Sequence, residues 1–352
     1  MDFDLAAPVH EALRDALDIG DCGYAGIGEL AESFATFAEQ RFGWKVEESR
    51  IFAVPDVMAG VAESIRLLTS PGCSVVINPP VYPPFFETIR AAGREIVEVP
   101  LLQDRQRGWV LDFDSLEEAF HNGAQAYLLC HPHNPVGRVW NPEELEQIAA
   151  LAAKYNVAVI SDEVHAPLTM PGVEYLPFLR FVRGWQPSTA ITSASKAWNI
   201  AGLKCALLVA GSNDVRKALH ERVRSAITEI RDRIGHLGAI GNVAAFRHGG
   251  PWLDAALAHL DGNRRLFAAL IEAQIPQIRY RMPEASYLAW LDCTDLGLGP
   301  DPAEHFLTHG RVALEPGHKF GKPGENYVRV NMGTSSNILR EIVDRMAAAL
   351  NG

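Results

Sequence analysis

Between about residue 50 and residue 210 the chain alternates short apolar runs with helix-patterned stretches, and this alternation limits the fold more than any other feature. The runs are IFAVP at 51–55, SVVIN at 74–78, EIVEV at 95–99, AYLLC at 126–130, VAVIS at 157–161, TAITS at 189–193 and CALLVA at 205–210. Continuous apolar runs separated by helices predict strands of a mostly parallel sheet covered on both faces. One intervening helix reads in detail. Asn141 suits the N-cap, Pro142 the first helical position, Glu143 and Glu144 the positive end of the dipole, and Leu145, Ile148, Ala149 and Ala152 form the buried stripe.

After about residue 250 the pattern changes. Pro251 opens a long helical stretch, WLDAALAHLDGNRRLFAALIEAQ, that ends before Pro276. YLAWLDC at 287–293, RVALEPG at 311–317 and NYVRVNMG at 326–333, closed by the helix SNILREIVDRMAAAL, read as a small α+β unit. The expectation is an α/β protein: a large domain over residues 18–250 and a smaller α+β domain over 251–352, joined by residues 1–17. A chain of 352 residues with 48% hydrophobic content suits two cores, because single cores stop growing near ~250–300 residues.

A formal charge of -11, with no run of lysines or arginines, argues against nucleic acid as a partner. No apolar run approaches the roughly 20 residues that span a bilayer, so no membrane role is expected. The opening MDFDLAAPVHEALRDALDIG carries acids where a secretory signal would need a basic start, and a cytoplasmic location is expected. Cys22, Cys73, Cys130, Cys205 and Cys293 are widely spaced and form no C-x-x-C pair, which gives neither a disulfide framework nor a zinc site.

Ligands of open parallel sheets bind outside the carboxyl ends of the strands. The residues that follow the runs there are Pro79 to Tyr82, His133 and Asn134, Asp162 to His165, and Ser193 to Lys196. An aromatic ring, an amide, an acid near a histidine and a lysine would converge on one cleft. That set suits a flat, charged, phosphorylated aromatic cofactor.

The segments PPVYPPF, CHPHNPVGRVW, SDEVH, SASKAWNIAGLK and YVRVNMG, in this order and at these spacings, resemble the fold-type I pyridoxal 5'-phosphate enzymes of the aminotransferase class I/II superfamily. GYAG, PWLDAAL and YLAWLD, with the DEVH and SKAWNIAGLK versions of the motifs, are similar to its cystathionine β-lyase (carbon-sulfur lyase) branch. The resemblance implies pyridoxal 5'-phosphate as cofactor and a small amino acid as substrate.

Position by position, the resemblance implies that Lys196 is the Schiff-base lysine. An amine held at a strand end, near other positive charge, has the lowered pKa that this chemistry needs. Asp162 is implied to pair with the pyridinium nitrogen; a lone aspartate after a strand would more commonly be an N-cap. Glu163 beside it is expected to be solvated or salt-bridged. Asn134 matches the residue that bonds the ring's phenolic oxygen and the substrate carboxylate, and its bond to Pro135 is a candidate for the cis form. Tyr82 matches the stacking aromatic. His165 stands where many aminotransferases have tyrosine.

For the phosphate, the amides of Val57 and Met58 at a helix start are the expected donors. Asp56, repulsive to a dianion, is expected to turn away and cap that helix. Ser193, Ser195 and Lys204 complete the implied cup, with Lys204 across a turn made compact by Gly202. Tyr24 matches a tyrosine that family dimers donate to the neighbour's phosphate, which implies a homodimer with shared sites. Arg329 matches the arginine that clamps the substrate α-carboxylate. Relatives usually carry a further segment ahead of MDF that helps close the small domain, so a shortened start or another element in its place is implied.

The activity implied is β-elimination. The Cβ–S bond of L-cystathionine or a similar amino acid is cleaved to a thiol, pyruvate and ammonia, with a place in methionine biosynthesis. An aminotransferase would use the same residues, and a weakly catalytic regulatory protein would share the cofactor. A metal hydrolase built on His131, His133, Asp162 and His165 is the reading without the cofactor; a His-x-His pair followed by Asn-Pro is weak support for it, and no metal is expected.

Overall fold

A computed structural model describes residues 1–184, 186–225 and 230–351. In chain order, helices α1 (Ala7–Asp18) and α2 (Leu30–Phe42) lead into strand β1 (Ile51–Val54), α3 (Val57–Leu68), β2 (Ser74–Ile77), α4 (Pro84–Ala91) and β3 (Glu95–Glu98). A hairpin, β4 (Leu102–Asp104) and β5 (Gly108–Val110), precedes α5 (Phe113–His121), β6 (Ala126–Cys130), α6 (Pro142–Tyr155), β7 (Ala158–Asp162), β8 (Ser188–Thr192) and β9 (Ala206–Ala210). The remainder comprises α7 (Asn213–Ser225), α8 (His236–His248), α9 (Gly250–Gln274), β10 (Arg279–Tyr280), β11 (Leu288–Asp292), α10 (Pro302–Gly310), β12 (Glu315–Pro316), β13 (Tyr327–Asn331) and α11 (Ser336–Ala349).

Seven strands form one sheet in the order β1-β9-β8-β7-β6-β2-β3. Every pairing is parallel except the two made by β9. The runs between residues 51 and 210 are therefore the strands expected. Their side chains split between two cores: Leu128, Ile160, Ile191 and Leu208 face one helical layer, and Tyr127, Leu129 and Val159 face another. Such two-sided burial is why the runs are apolar without interruption. Asn141 caps α6 in a full capping box with Glu144, and Pro142 opens the helix, as the sequence suggested.

The strand directions decide where the chemistry collects. β1, β6, β7 and β8 all end at one edge, which brings the residues after each of them together. β9 runs the other way, so its beginning lies at that same edge and Lys204 joins the group. Gly202 takes no part in shaping this approach, because a side chain there would meet nothing within 4 Å. The left-handed backbone belongs instead to Asn199 (φ 59°) and Lys204 itself (φ 58°).

A second, antiparallel sheet has the order β10-β11-β13-β12. Val328 and Val330 of β13 enter a core with Phe267, Phe306, Leu339 and Val343, so the two-residue alternation turns Arg329 to the opposite face. On that face Trp290 and Tyr327 stack at 5.1 Å and pack with Phe320. Of RVALEPG only Glu315–Pro316 pairs as a strand, and Pro316 brings no N–H to extend the ladder.

Arg138 holds the region after β6 to the second sheet's approach: it pairs with Glu144 at 3.0 Å and with Glu284 at 3.0 Å. Residues 1–3 span another gap, where Asp2 N donates to Gly333 O at 2.7 Å and the Asn199 amide donates to Met1 O at 2.8 Å. Among the described residues, no helix is long and apolar enough to cross a membrane.

Candidate active site

A cleft of about 540 Å³ lies at the carboxyl edge of the large sheet, walled on its far side by the second sheet. It is lined by Val57, Met58, Tyr82, Asn134, Asp162, His165, Ser193, Ser195, Lys196, Lys204 and Arg329. Eleven of the twelve sequence candidates thus converge. Tyr24, the twelfth, is 85% exposed and away from the cleft of its own chain.

The Lys196 segment is held from several sides. Ala194, Ala197 and Trp198 are fully buried. Ala194 N donates to the Asn242 side chain at 2.9 Å, and the Trp198 indole donates to Gly249 O at 2.9 Å. Burial pushes the Lys196 ammonium below its ordinary range; Asp162 opposes the shift, and Arg329 and Lys204 reinforce it. This environment favours a neutral, nucleophilic amine.

Asp162 ends β7 and is buried, so desolvation pushes its carboxyl up to about 6, against the lowering effects of the Val164 N–H at 3.1 Å and the Lys196 charge. Asp162 is not the N-cap of the short helical turn that follows, a place taken by His165, and its carboxylate faces the cleft. In the cofactor-free protein, the folded chain holds a proton on Asp162 that the unfolded chain releases near its ordinary 3.8. Stability from this group is therefore full below that value and is lost as pH rises toward 6, a decline of roughly 3 kcal/mol. Urea unfolding of the cofactor-free protein at several pH values should show the decline, and Asp162→Asn should reduce it, leaving the part contributed by the raised Glu163 carboxyl. An unchanged slope in the variant would refute the assignment.

Glu163 departs from expectation: it is not solvated, and among the described residues it has no salt bridge. It is buried, and accepts from Ser161 Oγ at 2.9 Å, Tyr175 Oη at 2.5 Å and Phe178 N at 2.9 Å. Burial pushes its carboxyl up to about 7, while the three donors pull the other way. Two of the donors, Tyr175 and Phe178, lie twelve and fifteen residues downstream, beyond what the local sequence shows.

The anion-binding end also differs in detail. Asp56 caps α3 through Ala59 N at 2.8 Å, but it does not turn away: its other oxygen lies 3.1 Å from Lys204 Nζ, and it lines the cleft. The first amides of α3, at Val57 and Met58, have no acceptor within the helix. Ser193 Oγ donates to Cys205 O at 2.8 Å and accepts from Ser195 N at 3.0 Å. Its hydroxyl proton is therefore committed to the backbone, and its contribution is to position Ser195.

Across the cleft, Arg329 Nη1 donates to Asn134 Oδ1 at 3.1 Å, and the guanidinium lies 4.8 Å from the centre of the Phe320 ring. It is partly buried, and burial lowers its pKa. The Asn134–Pro135 bond is cis. His165 Nδ1 is buried with no hydrogen-bond partner among the described residues, and its ring lies edge-on to Tyr287. His131 and His133 are committed to the carbonyls of Leu176 and Pro80. Among the described residues, no group of three or more His, Cys, Asp or Glu side chains could hold a metal, so the hydrolase reading finds no support.

Sequence reasoning missed Tyr287, Glu315 and Asn331, which enter the cleft from the second sheet. YLAWLDC and YVRVNMG marked the strands, but only the packing of one sheet against the other turns their residues into the cleft.

The donor set fits pyridoxal 5'-phosphate. An amine, a buried acid, an orphaned imidazole nitrogen and a helix start beside a cation match the aldehyde, ring nitrogen, ring oxygen and phosphate of that molecule. The cleft is that of a pyridoxal-phosphate-dependent enzyme. Comparison with known proteins agrees. Residues 9–346 match the family described as aminotransferase class I and II, and the chain belongs to that family.

Among its relatives, the Mycobacterium tuberculosis protein named "Putative cystathionine beta-lyase" is 44% identical over 99% of this chain and 90% of its own. Cystathionine beta-lyase PatB of Bacillus subtilis is 32% identical over 100% of this chain and 91% of its own. The crystal structure of cystalysin from Treponema denticola, which contains a pyridoxal 5'-phosphate cofactor, superimposes with a TM-score of 0.92 at 30% identity. That match covers 100% of this chain and 89% of the other.

Proposed function

We propose that the protein catalyses β-elimination on sulfur amino acids, cleaving the Cβ–S bond of L-cystathionine or a related compound. The observation that carries this is the Lys196 amine, held below its ordinary pKa in one cleft with Asp162 and Arg329. Relatives named cystathionine beta-lyase, matched over essentially the whole chain, support elimination over amino transfer.

Pyridoxal 5'-phosphate supplies an aldehyde for the substrate amine and a ring that takes up electrons from Cα. Lys196 anchors it and then, as a free amine, removes the Cα proton. Asp162 holds the proton on the ring nitrogen, and a carboxylate at the end of a buried strand is well placed to keep that charge paired. Arg329 receives the substrate carboxylate as a planar fork, with Asn134 beside it. Val57 and Met58 amides, Ser195 and Lys204 would hold the phosphate, Tyr82 would stack on the ring, Asn134 would bond the ring oxygen, and His165 would offer a further donor to the cofactor. The thiolate leaves with the Cβ–S electron pair, and water completes the balance to pyruvate and ammonia.

The reading places the reaction in residues 18–250, with 251–352 closing the cleft, in a cytoplasmic enzyme of amino-acid metabolism. It also makes the protein a homodimer, in which Tyr24 reaches the neighbour's phosphate. Supporting this, Leu17, Ile19, Tyr24 and Ile27 are exposed apolar residues close together in sequence, a surface that water disfavours. A single-chain mass in sedimentation would refute the dimer.

Purified, cofactor-loaded protein should release pyruvate from L-cystathionine with no keto acid added. Turnover only when a keto acid is supplied would make it an aminotransferase instead, and none under either condition would leave a silent binder.

A further inference from the structure

Tyr287 lies in the cleft although its place in the second sheet argues against it. Side chains alternate along a strand, and Ala289 and Leu291 of β11 enter the core with Phe267 and Phe306. Tyr287 shares their parity, yet it lines the cleft beside Leu288 and packs against the core of the large domain. The break in alternation coincides with Ser286, which holds a left-handed backbone (φ 75°) without being glycine. Such a conformation persists where the surroundings impose it. Here Ser286 N donates to Leu168 O at 3.0 Å, Glu284 N donates to Gly137 O at 2.8 Å, and the Tyr287 carbonyl accepts from Met332 N at 2.7 Å. Leu168 ends the short helical turn that follows His165, so Tyr287 is tied to the segment carrying the imidazole that its ring meets at 6.1 Å.

The Tyr287 side chain is half-buried, and among the described residues its hydroxyl has no hydrogen-bond partner. Burial pushes the phenol above its ordinary range, with Arg329 opposing the shift and Tyr82 adding to it. Tyr287 is therefore a neutral O–H donor, near enough to Arg329 for the charge on either group to act on the other. A phenol is a weaker acid than the thiol that elimination releases, so protonating the leaving group is not its task. A carboxylate, by contrast, offers about four lone-pair sites, of which a guanidinium fork fills only a pair. We propose that Tyr287 is a substrate-binding residue whose hydroxyl donates to the substrate α-carboxylate seated on Arg329. The inference rests on the elimination reading for the seat of that carboxylate and adds a neutral donor to it.

Tyr287→Phe removes the hydroxyl and keeps the ring. L-alanine and ethylamine differ by the carboxylate and have no β leaving group, so absorbance titration of the cofactor-loaded protein reads their binding without elimination. The substitution should weaken L-alanine by about tenfold, the scale of one hydrogen bond to a charged group, and leave ethylamine unchanged. Equal weakening of both ligands would show that the ring had merely shifted, and no effect on either would show an idle hydroxyl; each would overturn the proposal.

Steady-state turnover gives a second measurement. KM for L-cystathionine should rise by a similar factor with kcat held, because the carboxylate is bound alike before and during the reaction. A fall confined to kcat would also overturn the proposal. Absence of pyruvate release by the wild type would instead overturn the elimination reading, and the L-alanine-to-ethylamine ratio would still decide the role of Tyr287.

Discussion

Lys196→Ala should release no measurable pyruvate from L-cystathionine, a fall of at least about 10³-fold, because one substitution removes both the covalent anchor and the base at Cα. The protein around it should survive, since Ala194, Ala197 and Trp198 supply the packing and the Lys196 amine lines an open cleft. Two controls separate chemistry from charge. Lys196→Arg keeps a cation near Asp162 and should be equally inactive. Borohydride reduction of the wild type should leave a cofactor adduct on Lys196 that peptide mass analysis locates, and that either variant lacks. Wild-type pyruvate release by Lys196→Ala would end the assignment.

Arg329→Ala should lower kcat/KM by about 100-fold, chiefly through KM, as expected for a partly buried, charge-assisted fork onto a carboxylate. Arg329→Lys should recover only part of this, because an ammonium is a point donor without the planar geometry. The substitution also strips Asn134 of the 3.1 Å contact it makes with Arg329. Steady-state kinetics with L-cystathionine gives the answer directly, and a change confined to kcat with KM unaltered would remove Arg329 from carboxylate binding.

Much of the site was legible because parallel strands gather their carboxyl ends. The positions of VAVIS and TAITS and the rule for where ligands sit put Asp162 and Lys196 in the cleft, while the roles given to them came from the resemblance of their motifs. What escaped the sequence depends on distant parts of the chain. Glu163 looked like a solvated acid because Tyr175 and Phe178, which hold it inside, come twelve and fifteen residues later. Asp56 was expected to cap its helix and does, but its bond to Lys204, 148 residues away, could not be read locally. Glu315 was hidden in RVALEPG, which read only as part of a small α+β unit. Its partners across the ladder and the cleft are set by how the second sheet docks.

The Asp56–Lys204 contact bears on how the protein chooses among phosphorylated molecules. With Asp56 as a resident counterion, Lys204 offers little net charge to an incoming anion, so inorganic phosphate gains less there than at an uncompensated cation. On the proposed reading, discrimination then shifts to the ring end, where Asp162, His165 and Tyr82 would engage features that free phosphate lacks. Retention of the cofactor becomes a matter of recognising a whole molecule, with the phosphate acting as a handle on it.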